Sequence, residues 1–121
     1  MSTTYAVLLP ADESAWEAAS ADDRAATYAR HHAFMAALAE RGHRLTGGAE
    51  LTHSRETRQV RRVDGDLVVT DGPYAETAEQ LTGFYLVESD DPDDLVACCG
   101  LLADGDGAVE VRAAVPGATT A

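Results

Sequence analysis

Two places in the sequence concentrate side chains able to move a proton. The string Asp71-Gly72-Pro73-Tyr74-Ala75-Glu76-Thr77 carries an acid, an aromatic, a second acid and a hydroxyl within seven residues. Gly72 admits backbone angles closed to other residues, and Pro73 fixes its own φ and removes a donor, so Asp71 and Tyr74 are held in set directions. The second place is the adjacent pair His31 and His32. An imidazole titrates near neutrality and suits general acid–base work. Plainer readings stand beside both: Asp-Gly-Pro is also an ordinary rigid turn between strands, and a histidine on an apolar helix face is also a hydrogen-bonded core residue. No nucleophile motif accompanies them. The four histidines are scattered, with no pair at the i, i+4 spacing that grips zinc and no metal triad. Cys98 and Cys99 are the only cysteines. As neighbours they do not easily meet disulfide geometry, and on a helix they point about 100° apart, so they read as buried thiols. Asp104-Gly105-Asp106-Gly107 lacks the glutamate and flanking ligands of a calcium loop and reads as a turn. No metal or cofactor is expected.

The elements that must position these residues follow from periodicity. Thr4 to Leu9 is a short run, apolar on both sides, that Pro10 stops. Ala11 to Ser20 is a polar connection whose Trp16 is either a lid over the next helix or a stacking surface for a substrate. Ser20 is an N-cap with Asp22 and Asp23 in the first turn, and the spacing predicts a helix from Ala21 to Arg41 that stops at Gly42. At 100° per residue Tyr28, Met35 and Leu38 form its apolar stripe, with Phe34 at the border, His31 inside and His32 on the flank. A strand from His43 to Thr46 leads into Gly47-Gly48-Ala49-Glu50-Leu51, where paired glycines allow a bulge or a close backbone approach. Thr52 to Glu56 is loop-like, and His53 there reads as exposed. Thr57 to Val63 and Asp66 to Thr70 flank Asp64-Gly65, the pattern of a two-residue hairpin. Glu76 to Leu81 is expected to form a single helical turn. Gly83 to Glu88 has the strongest strand propensity, Pro92 to Ala103 is a second helix, and Ala108 to Ala113 is the last strand. Pro116 to Ala121 reads as a frayed tail.

Without the hairpin, this order is the β-α-β-β-α-β split of the ferredoxin-like α+β class. Both helices then cover one face of an antiparallel sheet. Tyr5 to Leu9 and Phe84 to Val87 are apolar on both faces, so the uncovered face calls for a second subunit. The chain of 121 residues suits one domain, residues 1–121, with no repeat or linker. Its formal charge is −12, from 21 acids against nine bases, which repels nucleic-acid phosphates and anionic lipid. Arg55, Arg58, Arg61 and Arg62 form the one basic cluster, either a solvated strand pair or a local anion site. No run approaches the length of a membrane span, and the N-terminus lacks the marks of a signal peptide, so a cytoplasmic location is expected.

From Val68 to Glu88 the chain reads Val-Val-Thr-Asp-Gly-Pro-Tyr-Ala-Glu-Thr-Ala-Glu-Gln-Leu-Thr-Gly-Phe-Tyr-Leu-Val-Glu. This string resembles the signature of the DGPF proteins, a branch of the YCII-related family. The resemblance extends to Phe34, Leu38 and Gly42, to Gly47 through Leu51, and to Val109-Glu110-Val111-Arg112. Tyr74 stands where the family usually has phenylalanine, Ala78 where many members carry lysine, and Ala113 where many have proline. The resemblance implies a dimeric α+β barrel that pairs subunits through their sheets. It also implies a catalytic pair, His31 from the first helix with Asp71 from the turn. In such a pair the carboxylate fixes the imidazole tautomer and raises its basicity, for proton transfer on a small organic acid, lactone or enol. Tyr74, Glu76, His32 and Trp16 are the expected substrate contacts. A non-catalytic ligand-binding or regulatory module, linked to transcription by an alternative sigma factor, is the other role the resemblance leaves open.

Overall fold

Alternation along the strands decides which residues meet the helices. The computed structural model describes residues 2–103 and 107–117. Strand β1 (Thr3–Asp12) lies at the centre of a four-stranded antiparallel sheet with β2 (Arg44–Glu50), β5 (Glu79–Ser89) and β6 (Glu110–Ala113), in the order β2-β5-β1-β6. This is the ferredoxin-like α+β arrangement expected from the element order. Val7 and Val87 are fully buried, and Tyr5, Leu9, Tyr85 and Val111 pack beside them. Helices α2 (Ala21–Glu40) and α3 (Pro92–Cys99) close this face with Phe34, Leu38, Leu95, Cys98 and Cys99. Ala6, Leu8, Phe84 and Leu86, the alternate residues, turn to the opposite face, and none of the four is fully buried.

Strand β1 does not stop at Pro10. It continues to Asp12 across a register shift between Leu8 and Pro10. β6 pairs only with Tyr5 through Leu8, so Pro10 lies beyond the β6 ladder, beside Gly107, and its missing N–H removes no β6 hydrogen bond. The connection that follows is not irregular. Asp12 accepts from the backbone N–H groups of Ser14 and Ala15 and caps a short helix, α1 (Glu13–Ala18). Ser20 caps α2 as expected, accepting from Asp23 N. The apolar stripe of α2 is shifted from expectation: Phe34 and Leu38 carry the burial, while Tyr28 is 42% exposed. The N-terminal half of the helix stands over a cavity rather than over the core.

A bulge at Thr46 precedes the glycine pair, with a register shift between Leu45 and Gly47 inside the one continuous strand β2. β3 (Arg58–Val63) and β4 (Asp66–Asp71) form a separate two-stranded ribbon. Its turn has positive φ at both Asp64 (50°) and Gly65 (85°), the type I′ geometry that the sequence calls for. Glu76 to Leu81 makes no helical turn. β5 begins at Glu79, and the Thr77 hydroxyl and Gln80 amide donate to the carbonyls of Glu79 and Ala75, which holds the approach extended. Helix α3 ends at Cys99, short of Ala103, although Leu102 beyond it is buried. The expected turn at Asp104 to Asp106 and the tail from Ala118 lie outside the described residues.

Candidate functional site

A cavity of about 1370 Å³ opens between α1, the N-terminal half of α2 and the sheet. Strand β5 supplies Tyr85 to its floor, β2 supplies Gly48 and Glu50, and the helices supply Trp16, Tyr28, His31 and His32. Gly48, paired with Tyr85, lets the two strands lie close beneath the cavity. A Cβ there would stand 2.5 Å from the Phe84 carbonyl oxygen, so only glycine fits.

His31 is half-buried, and its Nδ1 lies 2.6 Å from the Tyr85 hydroxyl. Burial, and then the neighbouring Arg30 charge, push its pKa below the ordinary imidazole value, while Glu50 pulls the other way. Burial and the Glu50 charge raise Tyr85, so the phenol keeps its proton. When Tyr85 O–H donates to Nδ1, a neutral His31 carries its hydrogen on Nε2. Beside it Tyr28 O–H donates to the Glu50 carboxylate at 3.0 Å, a bond that raises the Tyr28 pKa. Trp16 meets Tyr28 edge-on at 5.6 Å, and the Arg24 guanidinium lies over the Trp16 ring while donating to the Trp16 and Glu17 carbonyls that end α1. Together these groups can donate a hydrogen bond to a carbonyl oxygen from neutral imidazole and hold a carboxylate near it.

Of the residues singled out in the sequence, the cavity gathers His31, His32 and Trp16. Asp71 ends β4 opposite Arg58, is exposed and does not line it. Among the described residues no hydrogen bond or ion pair joins His31 to Asp71. Tyr74 is 95% exposed, and Glu76 lines a smaller cleft of about 230 Å³ with Pro73, Glu13 and His53. Gln59 Nε2 donates to the Gly72 and Pro73 carbonyls and fixes this turn against the ribbon. His53 is not the free loop residue expected. Its Nδ1 accepts from Arg55 N, and its Nε2 lies 3.3 Å from Glu17. Buried Glu13 accepts from Ser54 N, which ties α1 to the 3-10 turn Ser54–Glu56. Arg55 leaves the basic cluster to pair with Glu17, lowering the carboxylate and raising the guanidinium.

Residues 3–113 match the model of the YCII-related domain. The chain belongs to the YCII-related family. An uncharacterized protein of Rhizobium meliloti (strain 1021) is 37% identical over 84 residues, which is 69% of this chain and 67% of that relative. Tyr85, Tyr28 and Glu50 are the site residues that sequence reasoning passed over. The sheet's register brings the two strand residues to one face, with Tyr85 paired to Gly48 beside Val87 and Glu50 paired to Gly83 two steps along, while Tyr28 lies one turn before His31 on α2.

Proposed function

We propose that this YCII-related chain is a small enzyme of the DGPF type that acts on an uncharged carbonyl compound such as a lactone, with His31 as the group that shares or transfers a proton. The observation that carries this reading is the 2.6 Å pairing of His31 Nδ1 with the Tyr85 hydroxyl at the cavity, which leaves Nε2 as the ring nitrogen for a substrate. A bound carbonyl oxygen accepts from Nε2–H as charge develops on it, and a substrate proton passes to a nearby carboxylate. Glu50 is the carboxylate whose charge reaches His31. The uncharged substrate follows from the lining, where the acids Asp12, Glu13, Glu17, Asp23 and Glu50 outnumber Arg24 and Arg30, so an anion is repelled. The DGPF assignment rests on the Asp71 turn, in which Gly72 has a φ of +103°. A cytoplasmic homodimer paired through the sheets is part of the same reading, supported by the apolar residues Ala6, Leu8, Phe84 and Leu86 on the face away from α2 and α3.

The test is a panel of lactones and enolisable ketones, with turnover followed for the wild type, His31→Gln and Tyr85→Phe. Loss of kcat in both variants with KM little changed supports the assignment. Turnover that persists in His31→Gln refutes it. A small molecule found on the purified protein by native mass spectrometry, bound without being turned over, would make the chain a ligand-binding or regulatory module instead.

A further inference from the structure

A second polar cluster lies at the far end of α2, away from the cavity. The helix ends through Arg41 and Gly42, whose φ is +84°, and His43 turns back beneath it, 7% exposed. Its Nδ1 lies 2.8 Å from Ser89 Oγ at the end of β5, and its Nε2 lies 2.7 Å from Asp94 Oδ2 in the first turn of α3. Asp94 and Cys98 are four residues apart on α3 and so share one helix face. An imidazole nitrogen, a carboxylate oxygen and a thiol sulfur, from His43, Asp94 and Cys98, all lie within 4.8 Å of one another.

We propose that His43, Asp94 and Cys98 form a binding site for a divalent ion of the zinc class. Nitrogen, sulfur and one oxygen suit zinc and its neighbours, whereas magnesium and calcium take oxygen ligands and gain little from a thiol. A tetrahedral ion with bonds of about 2.0 Å to nitrogen and 2.3 Å to sulfur sets its ligand atoms roughly 3.3 to 3.7 Å apart. The Nε2–Oδ2 gap of 2.7 Å must open by roughly half an ångström and the thiol must close by at most about one, both within side-chain rotation. Ser89 supplies the outer support. Its oxygen accepts from Asp91 N, and with an ion on Nε2 it accepts from His43 Nδ1–H, which fixes the ring. Binding releases the Cys98 thiol proton and takes the neutral imidazole with its hydrogen on Nδ1, toward Ser89, with no change of oxidation state. The competitor is Arg41, whose guanidinium now bonds Asp94. Its side chain is 53% exposed and can withdraw to water. The fourth position then opens to solvent.

The experiment uses the whole chain, untagged, reduced and stripped of metal, titrated with Co²⁺ and then Zn²⁺. One ion per chain, a thiolate-to-cobalt absorption band and its loss on adding zinc are expected. Cys98→Ser removes the band, and both Cys98→Ser and His43→Gln weaken zinc binding by about tenfold or more. Cys99→Ser keeps the band, and Arg41→Ala tightens binding because Asp94 loses its competitor. Circular dichroism shows that each variant is folded. The proposal is overturned if the wild type gives no thiolate band, if the band follows Cys99 instead of Cys98, or if His43→Gln binds zinc as tightly as the wild type.

Discussion

Gly47 and Gly48 are neighbours in β2 with opposite requirements, and replacing each by alanine tests the floor of the cavity. Gly48 has a φ of +150°, and an added Cβ would lie 2.5 Å from the Phe84 carbonyl oxygen and 3.1 Å from Tyr85 Cα and Cδ1. Two of these contacts are backbone, so relief requires β2 to part from β5. At Gly47 the added Cβ would meet Leu86 Cδ1 at 3.7 Å, an ordinary contact. Gly48→Ala therefore costs about 1–3 kcal/mol from backbone strain alone. Gly47→Ala stabilises by up to about 1 kcal/mol, because it narrows the unfolded ensemble without straining the folded one. At roughly 3–6 °C per kcal/mol for a domain of this size, Gly48→Ala lowers Tm by about 3–18 °C, and Gly47→Ala leaves it level or raises it slightly. Urea unfolding followed by circular dichroism gives both values. Because Tyr85 lies against Gly48 and holds His31, the His31 ring signals in an NMR spectrum shift in Gly48→Ala and stay in place in Gly47→Ala. Equal stability losses in the two variants, or none at Gly48, would refute the close approach on which the site geometry depends.

Gly72 has a φ of +103° with open space where a side chain would go, so Gly72→Val costs more than about 1 kcal/mol through strain, read from denaturant midpoints; an unchanged midpoint removes the strained turn. Phe84→Arg or Leu8→Arg places a charge on the sheet face away from α2 and α3, and in sedimentation should convert a dimer to monomer or aggregate; a wild-type monomer ends the sheet-paired assembly. In histidine titrations by NMR, His31 falls below the ordinary value, and Glu50→Gln lowers it further by removing the charge that raises it. Asp71→Asn has the smaller effect; a larger response to Asp71→Asn would restore the His31–Asp71 pair that the family resemblance implies. Since burial lowers the His31 pKa in the folded chain, the unfolded chain takes up its proton first as pH falls. His31 thus costs no stability above about pH 6.5, and destabilises progressively as pH falls from there toward its folded value. His31→Gln should flatten that part of the stability curve.

Most of the architecture was legible because it depends on local rules. Ser20 as a cap, the Asp64-Gly65 hairpin, the bulge beside the glycine pair and the order of strands and helices each follow from one short segment and its own stereochemistry. The misses have a common cause in neighbours distant along the chain. Pro10 reads as a stop until it is known that β6 begins only beside Leu8. His53 reads as exposed until Glu17 and Arg55 close around it. Parity along β5 was the hardest of these: Tyr85 and Phe84 are both aromatic in a strand apolar on both faces, and nothing in their own segment says which one meets the helices.

The sequence by itself determined an α+β fold of the YCII-related family, the helix that carries His31 and the turn that carries Asp71. Tertiary structure decided which groups share a site. It brought Tyr85 to His31 across 54 residues, set Glu50 against Tyr28, left Asp71 outside the cavity, and gathered His43, just past α2, with Asp94 and Cys98 of α3. The reason is physical. Backbone preferences act over a few residues and are written in the local sequence, whereas a site is a coincidence in space of side chains whose registers are set only when the sheet pairs and the helices pack.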